Sequence, residues 1–173
     1  DQLLALALAD EADIEMKTES VQLDEVITAA ILQRSPSARN LHIDLGAMGV
    51  ESSTFVQANK ALVEGMLNNL LDNAIRYGKP ADSQLQEVTV ALQVHQGHVE
   101  MVVLDNGPGI PPQDIDKILQ RGVQGVQAQG AQQGLGLGLS IVKRYAELMG
   151  VKFWLQNGAS GQGLEAHVLF KHQ

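Results

Sequence analysis

The chain has 173 residues, 45% of them hydrophobic, a size that suits one domain with a substantial core and at most a small appendage. Its formal net charge of -8 and its 3% aromatic content argue against nucleic-acid binding, because the field repels phosphates and few rings can stack on bases. The absence of cysteine excludes disulfides, thiolate nucleophiles and zinc–thiolate sites, and no apolar run approaches the ~20 residues that span a bilayer.

The first ten residues are predicted to form a helix, since Leu and Ala dominate them. A helix this short is marginal alone. Two interpretations are open: a disordered chain end, or the tail of a longer helix that packs against a partner, which we favour. A polar connector follows over residues 11–18. Because the chain begins with Asp1 rather than Met, we expect it to be a fragment of a longer protein.

Residues 20–58 are predicted to contain three short strands and one amphipathic helix. The helix runs from Leu23 to Arg34 and is expected to end at Ser35-Pro36-Ser37, because proline disfavours helical backbone in the residue before it. The strands are expected at Ser20–Leu23, Leu41–Leu45 and Thr54–Gln57. This assignment places His42 on a strand.

Two stripes of side chains follow the next helix, predicted from Leu62 to Gly78 with Asn59 as its N-cap. The apolar stripe consists of Val63, Leu67, Leu70, Leu71 and Ala74. The polar stripe consists of Asn69, Asp72, Asn73 and Arg76. Solvated helix faces usually carry Glu, Lys and Gln, and Asn is a mediocre helix former. We therefore interpret Asn69 and Asn73 as oxygen ligands directed at a bound group.

A β-hairpin is predicted next, with strands Val88–His95 and Val99–Leu104. His95 and His98 at its tip have the spacing of a metal-binding pair, but the sequence offers no third ligand, so we do not expect a metal there. A glycine loop follows, Asp105-Asn106-Gly107-Pro108-Gly109-Ile110, and then a short helix over Gln113–Leu119.

Residues 121–133 are rich in Gly and Gln, which is typical of a slack loop or of a mobile lid over a ligand. The next segment, Gly134-Leu135-Gly136-Leu137-Gly138-Leu139, alternates Gly with Leu before a helix predicted over Gly138–Met149. Glycine permits close backbone approach, and successive N–H groups at a helix start form an anion site. Neither a P-loop nor a strict dinucleotide-binding motif is present.

Two final strands, Val151–Leu155 and Leu164–Phe170, are predicted to form a hairpin across Gly158–Gly163. The predicted elements assemble into an α+β two-layer sandwich, in which a layer of helices packs on one mixed, mostly antiparallel sheet.

The order of the Asn-rich helix, the Asp-x-Gly-x-Gly loop and the Gly-x-Gly-x-Gly-Leu loop resembles the ATP-binding catalytic domain of bacterial sensor histidine kinases. That domain belongs to the superfamily shared by gyrase B subunits, MutL and the large heat-shock chaperone. The resemblance covers about Gln22 to Phe170. It implies a Bergerat-type ATP-binding fold over residues 16–173, and it identifies residues 1–15 with the end of a second dimerisation helix and its connector.

The resemblance implies ATP and Mg²⁺ as ligands and assigns roles to individual residues. Asn73 holds Mg²⁺ and forms, with Asn69 and Arg76, the catalytic end of the site. Asp105 selects adenine by accepting a hydrogen bond from its exocyclic amino group, although a turn-forming role is the alternative for this residue. The remaining nucleotide contacts that it implies are Tyr77, Gly107, Gly109, Ile110, Arg121, Gly134, Leu135, Gly136, Leu137, Gly138 and Leu139. Simple core packing is the alternative for Tyr77.

Several departures from the family pattern bear on function. Asn69 stands where hydrolysing members carry a Glu that activates water, and a carboxamide cannot act as a general base, so we expect slow hydrolysis. Ile118-Leu119-Gln120-Arg121 replaces a phenylalanine-containing segment, and Leu135 replaces the usual Thr or Ser. None of the five histidines lies in a phosphoacceptor context, so the acceptor is expected upstream of Asp1.

The resemblance therefore predicts a histidine protein kinase domain that transfers the ATP γ-phosphoryl group to a histidine outside this chain. The expected partners are the dimerisation and histidine-phosphotransfer domain of the same protein and a response regulator, without nucleic acid or direct membrane contact. The parent protein is expected to be a homodimer anchored in the bacterial inner membrane, with this domain in the cytoplasm. The alternatives are an anti-sigma-type serine protein kinase and a degenerate nucleotide-binding module without phosphotransfer.

Overall fold

The computed structural model of the chain describes residues 17–81, 84–120, 133–159 and 161–172. The strands are β1 (Glu19–Gln22), β2 (Ile43–Met48), β3 (Phe55–Ala58), β4 (Gln86–His95), β5 (His98–Asp105), β6 (Lys152–Asn157) and β7 (Leu164–Lys171). The helices are α1 (Leu23–Asn40), α2 (Lys60–Tyr77), α3 (Pro112–Gln120) and α4 (Gln133–Met149).

Five strands form one sheet in the order β2-β4-β5-β7-β6. The β2–β4 pair is parallel and the other three pairs are antiparallel. This confirms the predicted α+β sandwich with a mostly antiparallel sheet. The structure differs from the prediction in one respect, because β1 and β3 pair with each other in a separate two-stranded antiparallel sheet. A single bridge between Val56 and His172 joins that small sheet to the end of the chain.

The core lies between one face of the large sheet and the helices. Alternate strand residues point into it, as period-two patterning requires. These inward residues include Val88, Val90, Val99, Met101, Val103, Val168 and Phe170, which are almost fully buried. From the helix side, α2 buries Val63, Met66, Leu67, Leu70, Leu71 and Ala74, so the predicted apolar stripe is confirmed and gains Met66. At the start of α2, Asn59 Oδ1 accepts a hydrogen bond from the Leu62 N–H at 3.1 Å, which confirms the predicted N-cap.

The predicted end of α1 is wrong, because the helix continues through Pro36 to Asn40. Proline removes the hydrogen bond to the carbonyl four residues earlier, which belongs to Leu32. Leu32 is 66% exposed, so water can solvate that region, while the added turn buries Ala38 in the core. His42 was predicted on a strand and instead lies in the turn before β2 with φ of 55°. Histidine is among the residue types that tolerate this left-handed backbone best.

Two predicted features lie outside the described residues: the helix over residues 1–10 and the lid over residues 121–133, except for Gln133, which begins α4. The domain boundary near residue 15 therefore stays a prediction. Within the part of the chain that the structure describes, no helix combines the length and the apolar character needed to cross a membrane.

Candidate functional site

A pocket lies between α2, the loop after β5, the start of α4 and strand β7, and it comprises about 450 Å³ of space that is partly open to solvent. The sequence-predicted residues that line it are Asn73, Tyr77, Asp105, Gly109, Ile110 and Leu139. Its other lining residues are apolar and come from both layers: Leu70, Ala74, Val103, Leu164 and Ala166. Residues separated by up to 96 positions, from Leu70 to Ala166, thus converge on one cavity.

Asp105 is the last residue of β5, and its side chain lines the pocket. Its Oδ1 atom accepts hydrogen bonds from the Gly107 N–H at 2.9 Å and the Leu164 N–H at 3.2 Å. Burial raises the pKa of Asp105, and these two N–H donors oppose that rise. Among the described residues no donor reaches Oδ2, so one carboxylate oxygen is available to a ligand.

Glycine is required at Gly107 and Gly109 in the loop after Asp105, and at Gly78 beside that loop. A Cβ on Gly107 would lie 2.6 Å from the Gly78 carbonyl carbon, and a Cβ on Gly78 would lie 2.7 Å from Asp105 Cβ. Gly78 ends α2 as predicted, by donating its N–H to the Ala74 carbonyl, but its φ of -83° is not left-handed. Glycine is required there by crowding rather than by backbone conformation. Gly109 does adopt left-handed backbone, with φ of 70°.

Asn69 and Asn73 both face the start of α4. An ideal Cβ on Gly138 would lie 2.9 Å from Asn73 Nδ2 and 3.4 Å from Asn69 Oδ1. Asn69 Nδ2 donates to the Gly65 carbonyl one turn earlier, at 2.8 Å, which leaves its oxygen directed toward α4. Asn73 Nδ2 is buried and has no hydrogen-bond partner among the described residues. Such a group costs roughly 1–3 kcal/mol when it is left unpaired, so a hydrogen-bond acceptor beside it would be favourable.

The other members of the polar stripe point elsewhere. Asp72 accepts a hydrogen bond from Arg34 Nε of α1 at 3.0 Å. Arg76 is exposed and lines a different cleft, beside His42 and Lys79. The structure therefore does not bring Arg76 into the pocket, and its phosphate role stays a prediction. Arg121 lies outside the described residues.

The glycine-rich segment was predicted as a loop before a helix, and this is wrong because α4 already begins at Gln133. Gly138 is the sixth residue of that helix, so its N–H is expected to bond within the helix rather than to an anion. The free N–H groups belong to the first turn, which contains Gly134, Leu135 and Gly136. Gly138 is required instead by its close approach to Asn73.

One important side chain was missed by the sequence predictions. Asn157, at the end of β6, accepts a hydrogen bond from the Ile110 N–H at 2.9 Å and donates one to the Ile110 carbonyl at 2.7 Å. The predicted strand ended at Leu155, and nothing in the sequence linked Asn157 to a loop 47 residues away. The hairpin turn across Gly158–Gly163 was predicted, but the bond from the Gly163 N–H to the Gly107 carbonyl, at 2.6 Å, was not.

Comparison with known proteins gives a consistent set of relatives. The family model for histidine kinase-, DNA gyrase B- and HSP90-like ATPases matches residues 58–173. The chain is 36% identical to sensor histidine kinase Hik2 of Synechocystis over 79% of its own length and 32% of that protein. It is 33% identical to sensor protein CreC of Escherichia coli over 99% of its length and 35% of CreC. The chain thus spans about a third of these curated relatives.

Solved structures agree on the fold. The mycobacterial sensor histidine kinase MprB superposes with a TM-score of 0.69 at 27% identity, over 91% of this chain and 99% of that one. The catalytic domain of histidine kinase ThkA superposes with a TM-score of 0.75 at 22% identity, over 91% and 98% of the two chains. Full-length ShkA in complex with AMPPNP gives 0.79 at 24% identity, over 99% of this chain and 35% of ShkA.

Proposed function

Because the chain belongs to the family of histidine kinase-, DNA gyrase B- and HSP90-like ATPases, we propose that it is the ATP-binding catalytic domain of a sensor histidine kinase. The observation that carries this proposal is the pocket itself. The pocket is lined by a desolvated carboxylate, Asp105, one oxygen of which no described residue engages, and by Asn73, whose amide nitrogen has no hydrogen-bond partner among the described residues. A purine nucleotide with a polyphosphate chain has complementary groups at its two ends.

The Asp105 end suits adenine. The exocyclic amino group of adenine is a hydrogen-bond donor, and Asp105 Oδ2 is an acceptor that no described residue occupies. Guanine presents a carbonyl oxygen at the equivalent position, which a carboxylate repels. Ile110 and Leu164 supply apolar surface beside the carboxylate, and Tyr77 borders the same cavity.

The Asn73 end suits phosphates and a magnesium ion. Carboxamide oxygens are ligands that Mg²⁺ accepts, and the ion commonly retains waters and phosphate oxygens for its other positions. Asn73 and Asn69 are the residues that would hold it, and when bound it would neutralise phosphate charge. Gly138 of α4 lies next to Asn73, and the free N–H groups in the first turn of that helix would be donors for the same phosphates.

The proposed reaction transfers the γ-phosphoryl group of ATP to an imidazole nitrogen of a histidine in the dimerisation and phosphotransfer domain of the same protein. The bond between the γ-phosphorus and the bridging oxygen breaks, a phosphorus–nitrogen bond forms, ADP leaves, and the imidazole proton passes to solvent. The phosphoryl group then moves to an aspartate of a response regulator. The residues of this chain contribute by orienting ATP and balancing its charge rather than by covalent participation.

Two solved relatives support the proposed setting. ThkA has been solved in complex with the response regulator TrrA, and one QseC structure is of its cytoplasmic segment. We propose the same setting for this domain: the cytoplasmic part of a homodimeric parent protein that is anchored in the inner membrane.

Incubation of this chain with the histidine-bearing region of its parent protein and γ-labelled ATP tests the proposal. We expect an acid-labile, base-stable phosphoryl group on that region, and none with Asn73→Ala. An acid-stable phosphoserine product would favour an anti-sigma-type kinase instead. ATP binding without any transfer would identify a nucleotide-binding module that lacks kinase activity.

A further inference from the structure

The hairpin formed by β6 and β7 is bound to the loop that follows Asp105 by four hydrogen bonds. Asn157 makes two of them, because its carboxamide accepts from the Ile110 N–H and donates to the Ile110 carbonyl. The Gly163 N–H donates to the Gly107 carbonyl at 2.6 Å, and the Leu164 N–H donates to Asp105 Oδ1 at 3.2 Å. Three of these bonds satisfy backbone groups of the loop, and the fourth fixes the carboxylate.

The carboxamide of Asn157 pairs with both hydrogen-bonding groups of one residue, in the manner of a neighbouring strand. It thereby holds Ile110, which is 6% exposed and lines the pocket. Gly109 packs against the same Asn157 side chain. An ideal Cβ at Gly109 would lie 2.5 Å from Asn157 Oδ1, so the two Asn157–Ile110 hydrogen bonds can form only because residue 109 has no side chain. The loop backbone at 109–110 is therefore positioned by Asn157 rather than by its own turn.

Together with the loop, the hairpin also determines which oxygen of Asp105 is engaged by backbone donors. The Gly107 and Leu164 N–H groups both donate to Oδ1. A carboxylate held in this way keeps Oδ2 pointing in one direction. The two hydrogen bonds from Asn157 keep the apolar surface of Ile110 at a fixed position relative to Oδ2. A planar base that packs on Ile110 can align its hydrogen-bond donor with Oδ2 only if Ile110 and the Asp105 carboxylate are both fixed.

From this geometry we infer that Asn157 is a positioning residue for adenine recognition, acting through the Ile110 backbone on the alignment between the base and Asp105. This inference rests on the proposed ATP-binding function. It assigns to the β6–β7 hairpin a role in base selectivity, in addition to its role in the sheet.

The test compares the affinities of ADP and of purine riboside diphosphate, which lacks the exocyclic amino group, by calorimetric titration. For the unmodified chain we expect ADP to bind roughly 10- to 100-fold more tightly, the difference of one hydrogen bond to a charged acceptor. For Asn157→Ala we expect this ratio to fall at least about threefold, because the amino group no longer meets Oδ2 in alignment. Asn157→Ser, which retains a hydroxyl that can bond to Ile110, should recover part of the ratio.

Gln156→Ala is the matched control. Gln156 is the adjacent residue of β6, faces away from the pocket, and donates to Glu165 Oε2 at 2.6 Å. We expect it to leave the ratio unchanged. Urea unfolding of each variant shows whether it is folded at the titration temperature.

Each result has a defined reading. Equal weakening of both ligands by Asn157→Ala, with an unchanged ratio, would mean that Asn157 only stabilises the fold and would overturn the inference. Unfolding of both Asn157 variants would do the same. If the unmodified chain binds ADP selectively and Asn157→Ala leaves the affinity ratio unchanged, the inference fails but the proposed function stands. If the unmodified chain does not bind ADP, the inference and the proposed function both fail.

Discussion

At Asn73, helix α2 buries an amide nitrogen that has no hydrogen-bond partner among the described residues. Alanine at this position would remove the unsatisfied donor and is a better helix former than Asn, by about 0.5 kcal/mol or more. We therefore expect Asn73→Ala to raise the free energy of unfolding by about 0.5–1.5 kcal/mol. Urea denaturation of the ligand-free chain measures this, and clear destabilisation would show that Asn73 has a structural role.

Asp105 gives a pH dependence of defined sign. Its pKa is raised by burial above the ordinary value of 3.8, against the smaller opposing effect of the Gly107 and Leu164 N–H donors. The native state thus holds the proton more tightly than the unfolded chain. Its contribution to stability is fully present below pH 3.8 and is lost as pH rises through the native pKa.

The substitution Asp105→Asn removes the ionisable group, while its carboxamide oxygen can still accept both N–H bonds. The free energy of unfolding of the ligand-free variant should therefore increase relative to that of the unmodified chain as pH rises from 3.8 through the native pKa of Asp105. The substitution should also weaken ADP binding by roughly 10-fold or more, because its amide group can present a donor to the adenine amino group. Urea unfolding at about six pH values between roughly 3.5 and 7 measures the stability difference. Calorimetric titration at neutral pH measures the change in ADP affinity. A stability difference that shrinks with rising pH would contradict this account.

At the scale of elements, the periodic patterns predicted every helix and strand in the described ranges, and the errors occur where distant contacts decide. The Leu23–Asn40 helix passes through Pro36 because the extra turn buries Ala38, which no local propensity reveals. The Gly134–Gly138 stretch is a poor helix former on any scale, yet it is helical in the structure. Gly138, the last residue of this stretch, approaches Asn73 of α2 closely, and the sequence does not encode such a tertiary contact locally.

Gly138→Ala tests the contact between α2 and α4. Alanine would gain about 1 kcal/mol of helix propensity, but its Cβ would lie 2.9 Å from Asn73 Nδ2. Because that atom ends a flexible side chain, we expect Asn73 to move. The free energy of unfolding should change by less than about 1 kcal/mol, while affinity for ADP with Mg²⁺ should fall by roughly 10-fold or more.

Gly65→Ala is the control for this substitution. Its Cβ would meet Tyr145 Cε2 at 2.8 Å, at the same helix interface but away from the pocket. For Gly65→Ala we expect a lower free energy of unfolding and an unchanged affinity for ADP with Mg²⁺. Equal losses of affinity in the two variants would show that general disturbance of the interface, rather than displacement of Asn73, explains the effect.

At the scale of the whole molecule, the residues of the pocket favour a domain that binds ATP without hydrolysing it. Asp105 is the one carboxylate among the described lining residues, and its Oδ1 is already engaged by two N–H groups. Asn69 cannot act as a general base. We therefore expect phosphate release by this chain alone to stay near the background without protein. Sustained multiple turnover in a phosphate-release assay, absent in Asn73→Ala, would contradict the assignment of Asn69.

The residues of the site that belong to short sequence motifs could be predicted, because their types and spacing indicate which groups they bind. Asn73, Asp105 and Gly109 were identified from residue type and order, and the structure gathers them around one cavity. Asn157 was not predictable, because its role depends on a contact between residues 47 positions apart. The placement of Arg76 was not predictable either, since helical spacing fixes a direction only to within a broad sector.

The measurement that tests the central claim most directly is a calorimetric titration of a non-hydrolysable ATP analogue into this chain and into Asn73→Ala, each with and without Mg²⁺. We expect binding that Mg²⁺ strengthens in the unmodified chain, and loss of that strengthening in a variant whose unfolding free energy is not reduced. Equal binding by both proteins, or no binding by either in the presence of Mg²⁺, would contradict the assignment of this pocket as an ATP site.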